Sequence, residues 1–218
     1  MVTDGREVII IQEDNKVTVI AAGLSLIPYV GGSLATVYSS TKAKKEKERL
    51  EKFYSDVAST IKSFDEQLTD VVRNSYHDDE YLSMLIEKVS RKIEREAREI
   101  KQEKFKTFFI NALIQGVNSS TYQNEEYYLD ALDSLSELDI EMLVLLYKQE
   151  HAVPVSNIES PFIDDPYIIL ASINKFRTLG LLEVYTGNMN VGGGVDNALA
   201  ESVKLSKLGR NFAEFCLS

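Results

Sequence analysis

The stretch LGLLEVYTGNMNVGGGVDNALAESVKLSKLGRNFAEF, residues 179–215, carries the strongest fold signal in the chain. LLEVYT at 181–186 predicts a strand, and SVKLS at 202–206 predicts its return. The segment between them is polar and glycine-rich, so it predicts a tip without regular structure. KLGRNFAEFCLS then predicts a closing helix. Upstream, DPYIILASINKFRTLG reads as a helix stopped by Gly180, since glycine accepts the left-handed conformation that ends helices. Before it, EEYYLDALDSLSELDIEMLVLLYKQE predicts two short helices, with Ser136 capping the second. The loop HAVPVSNIESPFIDDP separates these from the 165–180 helix and holds three of the chain's four prolines.

The first half has a different rhythm. Leu50, Phe53, Tyr54, Val57, Ile61, Phe64, Leu68, Val71 and Val72 recur at steps of three and four, which predicts one long amphipathic helix from about Ser33 to Arg73. NSYHDDE at 74–80 breaks it, with Asp78 or Asp79 as the next helix cap. The following helix places Leu82, Leu85, Ile86, Val89, Ile93, Ala97 and Ile100 on one face. The apolar set then shifts to Phe105, Phe108, Phe109, Ala112 and Leu113, so a bend is expected near 101–104. GVNSST at 116–121 is a polar turn and marks the expected domain boundary. VIII at 8–11 and VTVI at 17–20 could pair as a hairpin, or the second run could open a helix.

Composition bounds the function. The chain has 218 residues, 44% hydrophobic, enough to build a core. Net charge is −10, and the acidity is uneven. Residues 118–218 hold 15 Asp+Glu against 6 Lys+Arg, while residues 1–117 hold 19 against 18. A domain with that balance is a poor nucleic-acid binder, because affinity for a duplex comes from neutralising phosphates. The single cysteine, Cys216, cannot close an internal disulfide and fits a reducing, cytoplasmic setting. The leader MVTDGREV lacks the order of a secretory signal.

The residues 179–186 and 203–215 resemble the wing and following helix of winged-helix proteins, in which Val203-Lys204-Leu205-Ser206-Lys207-Leu208-Gly209-Arg210 matches the return strand and helix start. The expected fold is therefore mainly α. An N-terminal helical bundle with long helices (1–117) is followed by an acidic C-terminal winged helix-turn-helix domain (118–218). The whole chain also resembles a group of uncharacterised bacterial proteins. They share an apolar N-terminal segment with Pro28-Tyr29-Val30-Gly31-Gly32, charged helices and a C-terminal winged helix. That group is associated with phage-defence and abortive-infection settings. This chain departs from it after the first helix, where SSTKAKKEKER runs on without proline.

No catalytic motif emerges. His77-Asp78-Asp79-Glu80 could suggest a metal, but consecutive residues rarely converge on one ion, and a helix cap explains them. Gly192-Gly193-Gly194 lacks the strand-to-helix context and the Lys-Ser/Thr of a phosphate loop. Asp164-Asp165 reads as a helix cap. No metal, cofactor or catalytic residue is expected. The donors that a DNA-reading winged helix would use are Asn174, Lys175, Arg177, Lys204, Lys207 and Arg210.

VTVIAAGLSLIPYVGGSLATVYSST, residues 17–41, has 25 residues and no charge. A membrane span needs about 20 apolar residues. Pro28, Gly31 and Gly32 split this one into arms of about 10–12 residues, too short to cross a bilayer at the rise of a helix. A buried helical corner is expected, with membrane contact through Pro28, Gly31 and Gly32 as the competing reading. The functional expectation is a non-enzymatic regulatory or defence-associated protein that works through protein contacts, with a homodimer allowed. The alternatives are a winged-helix transcription regulator and a membrane-inserting effector.

Overall fold

The computed structural model describes residues 44–63, 71–72, 75–160, 165–186 and 197–218. The stretch 17–41, with Pro28, Gly31 and Gly32, lies outside the described residues, as do the proposed 8–20 hairpin and the glycines at 192–194.

The described chain is mostly helical, with one small sheet. Helix α1 (Lys44–Ser63) buries Leu50, Phe53, Tyr54, Val57 and Ile61, the stripe that the spacing predicts. The Tyr54 hydroxyl lies 2.7 Å from Ser90 Oγ on α2 (Asp79–Arg95), so the ring sits in the core while its polar end is satisfied. Phe53, Tyr54 and Phe109 pack edge to face or tilted around this point. Asp78 caps α2 by accepting the Glu80 N–H at 3.0 Å.

Helix α2 stops at Arg95, and α3 runs Glu99–Gln115. The break thus comes earlier than the expected 101–104. Its cause is local. Glu96 turns extended, and its carboxylate accepts the Arg98 N–H at 2.9 Å and Arg98 Nε at 2.8 Å. Gln102 then donates to the Glu96 carbonyl at 2.7 Å. These bonds satisfy backbone groups that a helix end leaves open. Ile100, assigned to the α2 stripe by periodicity, is instead on α3 and 49% exposed. Phe105, Phe108, Phe109, Ala112 and Leu113 form the inner face of α3. Each such ring or branched side chain contributes about 1.5–3 kcal/mol by leaving water.

At Gly116 the backbone has φ 87°, and a Cβ there would lie 2.5 Å from the Tyr76 carbonyl oxygen. Only glycine fits this turn. Helices α4 (Tyr122–Ser134) and α5 (Glu137–Tyr147) follow, with Ser136 and Asp139 forming a reciprocal capping box at α5. Helix α4 packs on α2 and α3. One apolar cluster runs from Leu50 to Leu217.

The last part contains β1 (Val153–Pro154), a single 3-10 turn, α6 (Pro166–Thr178), β2 (Leu182–Tyr185), the short α7 (Asn197–Ala200), β3 (Ser202–Leu205) and α8 (Lys207–Cys216). The sheet order is β1-β3-β2, all antiparallel. Strand β1 was not legible in the sequence. It is two residues long and ends in a proline, which a ladder tolerates at an edge. Asp165 caps α6 at Tyr167 N–H, 2.9 Å, and Ser206 caps α8 at Gly209 N–H, 3.0 Å. A Cβ on Gly209 would lie 2.1 Å from the Leu181 carbonyl oxygen, so this glycine lets α8 press onto the α6–β2 turn. At its far end α8 is held by α3, where Lys104 donates to Leu217 O at 2.8 Å and Asn111 to Phe215 O at 2.9 Å.

Candidate functional site

The predicted nucleic-acid donors lie on α6, β3 and α8. Three of them are engaged by carboxylates of the same unit. Lys175 pairs with buried Asp139, Arg177 with Glu201, and Lys204 with Glu183 at 3.0 Å. Arg210 donates to the Gln149 carbonyl at 3.3 Å. Asn174 and Lys207 are exposed. The outer face at the start of α6 presents Tyr167 and Ile168, both exposed, and no cation.

His77 does not join Asp78 and Asp79 in a ligand set. Its Nδ1 accepts the Val117 N–H at 3.1 Å, while Asp78 faces the start of α2. Burial lowers the His77 pKa, against a smaller opposing effect from the Val72 backbone. Among the described residues no group of His, Cys, Asp and Glu could hold a metal ion. Among the same residues, no helix is long and apolar enough to cross a membrane.

A dense cluster of charge lies elsewhere among the described residues. A cleft of about 350 Å³ opens where α2, the 96–98 joint, α3 and α4 meet. Lys88, Arg91, Lys92, Arg95, Arg98 and Lys101 line it. Three carboxylates share the lining: Glu96, Asp130 and Asp133. The cations come from one face of α2 and its continuation, at spacings of three and four that return each turn to the same side.

The floor is fixed. Lys101 is 1% exposed; its ammonium donates to the Asp133 carbonyl at 2.7 Å and lies 3.4 Å from Glu96 Oε2. Burial lowers the Lys101 pKa, and Glu96 offsets part of that. Arg98 clamps Glu96 with both Nε and Nη2, at 2.8 and 2.6 Å. That clamp holds the Glu96 carboxyl down to about 2. Arg98 is raised in return by Glu96. Lys92 bridges Asp130 at 2.9 Å and Asp133 at 2.8 Å. Burial pulls Lys92 down, but those two hydrogen bonds outweigh it and raise it.

The mouth is looser. Lys88 pairs with Glu126 across to α4, and Arg91 pairs with Glu87 one turn back on its own helix. Arg95 is exposed and has no ion-pair partner among the described residues. Six lining cations against three lining carboxylates leave a surplus of three positive charges in a chain of net −10. Glu87 and Glu126 at the rim reduce it to one. The arrangement can receive an anion at Arg91 and Arg95 while Lys101, Arg98 and Glu96 hold the helices in place.

No known protein family, curated protein or solved structure matches this chain.

These cleft residues were not among the candidates from the sequence. Their signal was present as KVSRKIEREAR, residues 88–98, where cations fall at 88, 91, 92, 95 and 98. Pairing rules read the interleaved glutamates as their partners. Arg95 escapes that pairing, and the carboxylates that hold Lys88 and Lys92 come from α4, some forty residues later in the chain.

Proposed function

We propose that this is a non-enzymatic protein that acts through protein contacts, and that its cationic cleft receives an anionic segment of a partner. The carrying observation is the cleft itself: a local excess of Lys and Arg on a strongly acidic chain, with two arginines at its mouth. Electrostatic complementarity of this kind steers encounter and sets specificity. The regulatory or defence-associated role remains our reading of the family resemblance.

The C-terminal elements support a winged helix in the order α5, β1, α6, β2, β3, with the sheet ordered β1-β3-β2. In this reading the unit packs and contacts protein. Lys175, Arg177 and Lys204 already neutralise Asp139, Glu201 and Glu183, so a duplex would have to displace those carboxylates. The acidic balance of residues 118–218 weighs in the same direction.

Fluorescence anisotropy of the full chain with a labelled peptide of otherwise neutral sequence carrying one central glutamate tests the reading. Binding should weaken with salt and be lost in Arg91→Glu/Arg95→Glu. A duplex oligonucleotide should bind more weakly than the peptide. Peptide binding that ignores the double reversal, or tight duplex binding lost in Lys175→Glu/Arg177→Glu, contradicts it.

A further inference from the structure

The geometry points to a phosphoryl subsite at the mouth of the cleft, formed by Arg91 and Arg95, that takes a phosphorylated side chain of a protein partner. This rests on the cleft reading above and deepens it by naming the anion.

Arg91 and Arg95 are four residues apart on α2, so their side chains rise from neighbouring turns, about 5–6 Å apart at Cβ. Both are exposed and long enough to converge on one group above the helix. A carboxylate offers two oxygens and one charge, which one guanidinium fork satisfies. A phosphate monoester offers three terminal oxygens and about −1.5 to −2 charges at neutral pH, which suits two forks together. Arginine clusters are the recurrent solution for such groups.

The pairing pattern favours exchange at this spot and nowhere else in the cleft. Arg95 has no carboxylate to give up among the described residues. Among the described residues Arg91 is held only by Glu87 on its own helix, with both side chains more than half exposed. Such an exposed i,i+4 pair is weak and easily exchanged. Lys92, Arg98 and Lys101 are committed to Asp130, Asp133 and Glu96 below, so the floor stays positive-edged and rigid when the mouth fills. The surrounding charge also sets the size of the ligand. Glu87, Glu126 and Asp130 ring the mouth, and the chain as a whole is net −10. An extended polyanion, whether a nucleic acid or a charged membrane surface, would be repelled along its length. A single compact dianion on an otherwise neutral segment would not.

The test uses the full chain and three labelled peptides of one neutral sequence, with phosphoserine, glutamate or serine at the centre. The phosphoserine peptide should bind about tenfold tighter than the glutamate peptide, as expected when two charge-assisted forks replace one. Inorganic phosphate should compete. Arg91→Ala/Arg95→Ala should remove that advantage while thermal unfolding stays close to wild type. Arg91→Lys/Arg95→Lys keeps the charge but not the forks and should lose most of it. Equal affinity for the phosphoserine and glutamate peptides, lost in Arg91→Glu/Arg95→Glu, overturns the phosphoryl subsite and leaves the cleft reading standing. No binding of either peptide overturns both. Tighter binding to duplex DNA or to phosphatidylglycerol vesicles than to the phosphopeptide also overturns the proposal.

Discussion

Replacing Glu125 with glutamine should stabilise this protein, and only above mildly acidic pH. Glu125 lies on α4 with 1% exposure, and among the described residues neither carboxylate oxygen has a hydrogen-bond partner. The Thr121 hydroxyl directs its proton at the Gly116 carbonyl, 2.9 Å away. Burial pushes the Glu125 pKa from 4.5 to about 7, with Thr121 acting weakly against it. The folded chain therefore keeps a proton that the unfolded chain has already released. The stability from that proton is full below about pH 4.5 and is lost as pH rises through about 7. A rise from 4.5 to about 7 corresponds to about 3 kcal/mol. Glutamine has no such ionisation and buries a polar group of similar size. Wild type and Glu125→Gln should thus be within about 1 kcal/mol of each other near pH 4, and the variant should be more stable by about 2–3 kcal/mol near pH 8. Urea unfolding followed by circular dichroism across that range measures the gap, with equal m-values as the check that both unfold alike. A stability difference that stays constant with pH would place the effect in packing and not in the Glu125 proton.

Other perturbations follow from particular contacts. Gly209→Ala drives a methyl into the Leu181 carbonyl and should destabilise the protein by about 3 kcal/mol or more, read from the thermal midpoint. Asp139→Asn weakens both the α5 cap and the pair with Lys175, and should cost about 2–3 kcal/mol at neutral pH. Burial raises the Asp139 pKa, but bonds from Lys175, Ser172 and Ser136 outweigh it and hold it below its ordinary value of 3.8. Its ionic stabilisation is therefore present above that value and fades below it, so the two proteins should converge in acid. Cys216 is fully buried and burial pushes its thiol well up, so a thiol reagent should label it only after unfolding. Rapid labelling of the native chain would contradict the packing of α8.

Much of the architecture was legible because it rests on local rules. The stripe Leu50, Phe53, Tyr54, Val57 and Ile61 and the caps Asp78, Ser136 and Asp165 are set by spacing and by groups a few residues apart. The features that escaped are non-local or too small for a period. Strand β1 exists only because Val153 finds Val203, fifty residues on. The helix break at 96–98 is set by the Glu96–Arg98 clamp, a two-residue contact that no hydrophobic pattern records. The cleft was hidden for the same reason. In sequence, KVSRKIEREAR is a solvated face laced with glutamates, and only the packing of α4 against α2 shows which of its cations are committed. The donors around 174–210 were visible as residue types, but their carboxylate partners were assigned only by the fold.

Amide chemical-shift mapping of the full chain with the phosphoserine peptide decides whether the cleft or the C-terminal donors receive the anion. Shifts should be confined to residues 88–101 and 126–133, with Lys175, Arg177, Lys204 and Arg210 unmoved. Shifts centred on those four residues, with the cleft silent, would contradict it.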